Sequence, residues 1–184
     1  MNRYAKIVAL SLAAVALFAC EVQDKTDQGG VILVISEYDL EGIPAVMSAT
    51  ADFPVVGSSD ATLTVRSQAR NANAATSQLM DVLIEGYEVR FTRGDTGSAA
   101  PPTLTEPVGG LVPVNGTMQQ NGLILLRQDQ FEYGPIRDLR LTGRDPETSS
   151  TVVRLIWHLK FYGKTISGER IETNTISFNL DVVP

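Results

Sequence analysis

Val153-Arg-Leu-Ile-Trp-His-Leu-Lys-Phe161 and Ile176-Ser-Phe-Asn-Leu-Asp-Val182 are the two stretches on which the fold turns. In the first, Val153, Leu155, Trp157, Leu159 and Phe161 alternate with Arg154, Ile156, His158 and Lys160. In the second, Ile176, Phe178, Leu180 and Val182 alternate with Ser177, Asn179 and Asp181. Successive side chains of a strand point to opposite faces, so this alternation marks two strands that each bury one face. Between them, Ser167-Gly168 suits a tight turn. Read as a two-residue loop, it sets Ile166 opposite Glu169. The same register then sets Val153 opposite Val182, Leu155 opposite Leu180, Trp157 opposite Phe178, and Leu159 opposite Ile176. Arg154 meets Asp181. A slip of one residue would turn every apolar side chain to the wrong face. Each apolar cross-strand pair contributes about 0.2–1 kcal/mol.

Upstream the same grammar repeats. Val31-Ile-Leu-Val-Ile35 is an apolar run of strand length. Ala61–Ser67 alternates with Leu63 and Val65 on one face, and Glu85–Arg93 sets Tyr87, Val89 and Phe91 inward against Glu88, Arg90 and Thr92. Gly94–Pro102 is rich in turn residues and reads as loop, as does the Ala/Asn-rich stretch 69–75. Asn121-Gly122, between Val114–Gln120 and Leu123–Arg127, has the form of a two-residue hairpin turn, with Pro113 limiting its length. No stretch of helical period stands out. Short strands with turns at intervals and no crossover helices predict an all-β, antiparallel two-sheet sandwich of about seven to nine strands. A closed or half-open barrel is the alternative. Tyr162-Gly163-Lys164 before the turn and a long final strand resemble the last two strands of immunoglobulin-like or fibronectin-type domains. The inter-sheet disulfide of antibody domains is absent, since the chain has one cysteine.

At the other end, Met1–Lys6 is a short basic head followed by the apolar run Ile7–Phe18. A dozen apolar residues span a bilayer poorly as a permanent helix but match the core of a secretory signal peptide. The run closes on Leu17-Phe18-Ala19-Cys20, which resembles the lipobox of bacterial lipoproteins, with Phe18 bulkier than the family's usual residue. The resemblance implies cleavage before Cys20, diacylglycerol on its thiol and acylation of its new amino end. It also implies an outer-membrane destination, because Glu21 rather than Asp follows the cysteine. Glu21–Gly30 is polar, ends in two glycines and reads as a flexible tether. The expected organisation is a signal-peptide helix at 1–19, a lipidated tether at 20–30 and a sandwich domain at 31–184.

The 184 residues carry a formal net charge of −6, yet Arg3 and Lys6 precede Cys20 while all 21 acidic residues follow it. The part beyond Cys20 thus sets thirteen basic against 21 acidic residues, a balance of −8. An acidic domain without a Lys/Arg block is a poor ligand for a phosphate backbone, so nucleic acid is not expected as a partner. One Cys and one His exclude zinc-finger spacing and a disulfide framework.

Little else points to chemistry. His158 falls on the polar face of its strand, with no nucleophile motif anywhere to pair with it. Asp129, Glu132, Asp138, Asp145 and Glu147 could offer oxygen ligands to calcium. They lack EF-hand spacing and are interleaved with Arg127, Arg137, Arg140 and Arg144, as on a solvated, ion-paired face. Trp157, Phe161, Phe178, Tyr87 and Phe91 read as core. Tyr38, Phe53, Phe131, Tyr133 and Tyr162 are the aromatics a loop-borne ligand surface would use. The Asn115-Gly-Thr117 sequon is discounted in a bacterial protein. No catalytic residue, metal ligand or cofactor is expected. The predicted role is a lipid-anchored, non-enzymatic binding, adhesion or assembly module with a protein or glycan partner. A filament or envelope-complex subunit is the second possibility and a small envelope hydrolase the third.

Overall fold

The computed structural model describes residues 27–28, 30–50, 56–73 and 75–184. The expected signal peptide, Cys20 and Phe53 lie outside the described residues. Ten strand segments form two sheets: β1 (Asp27–Gln28), β2 (Val31–Asp39), β3 (Val46–Ser48), β4 (Val56–Ala69), β5 (Val82–Arg93), β6 (Leu104–Val112), β7 (Thr117–Leu126), β8 (Val153–Thr165), β9 (Arg170–Glu172) and β10 (Ile176–Val183). Seven of these are eight residues or longer; β1, β3 and β9 are short edge pieces. One sheet has the order β1-β2-β4-β7 and the other β3-β10-β8-β5-β6, with β9 also pairing β8. A single core joins them, with Leu33, Leu63, Leu125, Leu155, Trp157 and Phe161 among its fully buried side chains.

The architecture is all-β in two sheets, with one departure from antiparallel pairing. β3 runs parallel to β10, Val46 opposite Asp181 and Ser48 opposite Val183. The chain leaves the first sheet after β2 and crosses to the edge of the second, and a strand arriving that way runs alongside β10 instead of returning along it. Asp27–Gln28, inside the stretch expected as tether, pairs with Val31–Ile32.

The arms of the C-terminal hairpin have the expected register: Trp157 faces Phe178, Leu159 faces Ile176, and Arg154 faces Asp181. The turn differs. Thr165 N–H donates to the Glu169 carbonyl (2.8 Å), and Gly168 N–H donates back to the Thr165 carbonyl (2.8 Å). The loop is therefore three residues, with Gly168 at φ 97°, a conformation favoured by glycine. Beside the turn, Lys164 faces Arg170, one step out of the expected register. A bulge restores it. From the Phe161–Thr173 contact to the Leu159–Ile176 pair, the return arm uses one residue more than β8.

Asn121-Gly122 is not a hairpin turn. Both residues lie inside the continuous strand β7, where Gly122 has φ 72°. They face a break in the ladder between Ser58 and Thr62 of β4. A positive-φ glycine serves a bulge as readily as a turn, and local sequence does not separate the two. β6 and β7 lie in different sheets, joined by the turn 113–116, in which Asn115 has φ 61° and its side chain accepts from Ala69 N–H (2.8 Å). Among the described residues one α-helix, α1 (Ile136–Thr142), interrupts the strands after β7. It buries Ile136 and Leu139 and ends on Gly143 at φ 72°, with a pattern two turns long and too short to read as periodicity.

The two ends of the sandwich differ. Near Gly30, among the described residues, lie the segments 70–73 and 75–80 and the turns 113–116 and 166–169. The far end carries the loops 40–45 and 94–103 and the whole segment 127–152.

Candidate functional site

The far-end loops are tied together by Arg93, the last residue of β5. Its side chain is 2% exposed. Nε donates to Asp95 Oδ1 (2.8 Å); one terminal nitrogen donates to Asp95 Oδ2 (2.9 Å) and Asp145 Oδ2 (2.8 Å), and the other to the Ala99 carbonyl (3.2 Å). Asp95 also accepts from Gly97 N–H and Arg154 N–H. Asp145 accepts from the Thr148 hydroxyl (2.6 Å). Glu147 accepts from the Ser98 hydroxyl (2.8 Å) and from the backbone N–H groups of Ser98 and Ala99. The guanidinium thus joins loop 94–99 to the segment 145–148, and one cation sits among three carboxylates.

These contacts explain the proton affinities. Burial alone would raise the Asp95 and Asp145 carboxyls, but hydrogen bonds from Arg93, with Gly97 and Arg154 for the first and Thr148 for the second, hold both below the usual range. Donation from Ser98 and Ala99 N–H lowers Glu147 as well. A second tie lies beside the first. Arg127 meets Glu106 through both carboxylate oxygens (2.5 and 2.6 Å), and the buried Gln130 side chain bonds Arg127 N–H (2.8 Å) and the Pro102 carbonyl (2.6 Å).

The proposed oxygen ligands are therefore dispersed. Asp145 is a buried partner of Arg93, not part of a solvated face. Glu132 pairs with Arg140 and Asp138 with Arg137 on the surface. Among the described residues no three His, Cys, Asp or Glu side chains are grouped to hold a metal ion. The pairing of Asp145 with Arg93 is not legible in the sequence because the two residues are 52 apart.

His158 lies on the outer face of the second sheet, over a shallow depression lined by Glu88, Arg90, Lys160 and Thr175. Its Nε2 bonds the Thr92 hydroxyl and its Nδ1 the Ser177 hydroxyl, both at 2.8 Å. Burial, then the neighbouring Arg90 charge, push its pKa below the ordinary value. A general base of the triad type needs a carboxylate to stabilise the imidazolium, and here a hydroxyl occupies that place. Charged pairs line the rest of this face: Lys160 with Glu172 (2.8 Å) and Lys164 with Glu85 (2.9 Å).

Of the aromatics assigned to a ligand surface, Phe131 is fully buried and belongs to the core, drawn in by the 3-10 turn Gln128–Glu132. Tyr133 is 55% exposed at the far end, and Tyr38, equally exposed, packs edge-on against Phe178 (5.3 Å). Tyr162 is half-buried on the second sheet. Trp157, Phe161, Tyr87 and Phe91 are core, and Phe178 packs partly buried against it.

No family model matches the chain, and neither the curated proteins nor the solved structures hold a significant match to it.

Proposed function

We propose that the chain is a lipid-anchored binding module of the bacterial envelope, held by acylated Cys20 and presenting the far-end loops of an immunoglobulin-like sandwich to a protein or glycan. The observation that carries this reading is polarity. The turn at Gly30 that joins β1 to β2 lies at one end of the sandwich, and the long tied loops 94–103 and 127–152 lie at the other. Loops tied into one platform at the end away from that turn suit a module that presents them to a partner.

Strand order supports the immunoglobulin-like assignment. β2-β4-β7 correspond to strands A, B and E of one sheet, and β10-β8-β5-β6 to G, F, C and C′ of the other. The signal-peptide and lipobox pattern of residues 1–20 supports the anchor, and Glu21 favours the outer membrane. The filament reading would need an edge open to strand addition. At the exposed edge β6, Pro107 lacks a donor and Glu106 points a charge inward, two features that discourage such pairing.

Cys20→Ser tests the anchor: incorporation of a fatty-acid probe should vanish, and undiminished labelling would refute it. Protease shaving of intact and permeabilised cells tests the direction of presentation. Cleavage on intact cells means an outward-facing binding module. Protection until permeabilisation turns the search to periplasmic partners.

A further inference from the structure

β6 is the outermost strand of its sheet, and its two halves differ. Toward the far end, Pro107 and the inward Glu106 blunt it. Toward the near end, Val108-Gly-Gly-Leu-Val112 has neither proline nor charge. On one side this stretch pairs with β5, Val112 opposite Val82, Leu111 opposite Leu83 and Gly110 opposite Ile84. On its other side, among the described residues, nothing hydrogen-bonds its N–H and C=O groups. Alternate residues of an edge strand therefore leave a row of donors and acceptors facing outward, hydrated in the free protein.

Apolar side chains flank this row on both faces. On the outer face Leu111 is 49% exposed and Leu83 38%, and a Cβ on Gly109 would meet nothing within 4 Å. On the inner face Val108 and Met118 of β7 are only partly covered by the core, and the Met118 sulfur lies where a Cβ on Gly110 would stand. A strand laid along Val108–Val112 finds hydrogen-bonding groups in its own plane and apolar contact above and below it.

The surroundings of this edge narrow its occupant. The segment preceding β2 leaves from the other side of the sandwich, because β1 lies beside β2 whereas β7 is the first-sheet strand next to β6. A second copy would bring its own Pro107 and Pro113 to the two ends of the pairing, and a domain with the same excess of acidic residues. An extended segment of a different protein meets neither obstacle. We propose that Val108–Val112 is a strand-addition site for an extended, apolar segment of a partner protein. Backbone pairing supplies the attraction, and Leu83, Val108, Leu111 and Met118 select the alternating side chains of the segment. The site is separate from the far-end loops and does not depend on lipid at Cys20.

The test selects a phage-displayed library of random heptapeptides on the full-length protein held in detergent. Selected peptides should be rich in β-branched and other apolar residues and poor in proline; a selection that never rises above background would overturn the site. The tightest peptide is then synthesised with single N-methyl groups at successive positions, and its binding is followed by fluorescence anisotropy. In strand pairing only alternate amides of the peptide reach the protein, so N-methylation should weaken binding about tenfold at every second position and little between them. A loss without that period of two would overturn backbone pairing. Gly109→Lys, at an exposed position with open space around it, should weaken binding about tenfold without lowering the thermal midpoint. Binding that survives Gly109→Lys but is lost in Glu147→Ala would place the peptide on the far-end loops, overturning this site and supporting that one. Self-association of the protein alone that Gly109→Lys abolishes would assign the edge to a second copy and overturn the proposal.

Discussion

Arg93 is the residue on which the far end depends. Its guanidinium is buried with Asp145, and removing one partner of a buried pair leaves the other charged and unsolvated, at a cost of about 3–5 kcal/mol. Arg93→Met should lower stability by about that amount in a denaturant titration, and adding Asp145→Asn should recover part of it. The same carboxylates set a pH dependence. Asp95 and Asp145 are held below their ordinary values in the folded protein, so the stability they contribute is present above the unfolded carboxylate pKa of about 4 and is lost as pH falls below it. Asp145→Asn should flatten that acid limb of the stability profile, and an unchanged limb would show that other carboxylates govern it. Trp157 is a different case. It is 1% exposed and its indole N–H lacks a partner, so it contributes by volume alone. Trp157→Ala should cost about 3–5 kcal/mol, whereas a loss below about 1 kcal/mol would contradict its place in the core.

At the scale of elements, the C-terminal hairpin holds its register by two departures that cancel. The three-residue turn shifts the pairing by one, and the bulge at Asn174–Thr175 shifts it back. Gly168→Ala should destabilise by about 1–2 kcal/mol, because the side chain is strained at φ 97° although space is open around it. Equal thermal stability in the variant would mean that the turn relaxes to another form. The bulge also turns Asn174 toward the first sheet, where its Oδ1 accepts from Ile35 N–H at the edge of β2 (2.7 Å). This element explains what sequence can convey. Alternation from Val153 to Phe161 and from Ile176 to Val182 reports which face is buried, and burial determines the pairing of the arms. The turn type and the bulge depend on backbone angles at Gly168 and Asn174, which apolar periodicity does not encode. Gly122 was misleading for the same reason, and the Arg93–Asp145 tie was invisible because it joins residues distant in the chain. His158 and the inward aromatics were legible because they sit within the long alternating runs.

For the whole molecule, the question is whether the sandwich stands without the chain that precedes it. Tyr87 reaches across from β5 and both accepts from Ile124 N–H (2.9 Å) and donates to the Ile124 carbonyl (3.0 Å), satisfying β7 at one side of the first sheet. At the other side Asn174 Oδ1 accepts from Ile35 N–H of β2. At the exposed edge of the second sheet, β6 carries Pro107 and the inward Glu106–Arg127 pair. The core starts at Val31, and the described residues meet their own edge needs. A chain beginning at Asp27 should therefore melt within about 2 °C of a chain beginning at Glu21, a difference below about 1 kcal/mol at this size. It should also remain monomeric in sedimentation. A larger fall would mean that residues before Asp27 pack onto the fold and are not a tether. Tyr87→Phe separates edge closure from core packing within the same comparison. It keeps the ring and leaves Ile124 N–H and C=O without their partner, so it should cost about 1–3 kcal/mol. If the variant also sediments as larger species, the hydroxyl is what keeps β7 from pairing with a neighbouring molecule. If it stays monomeric, edge protection lies elsewhere and the tyrosine serves stability alone.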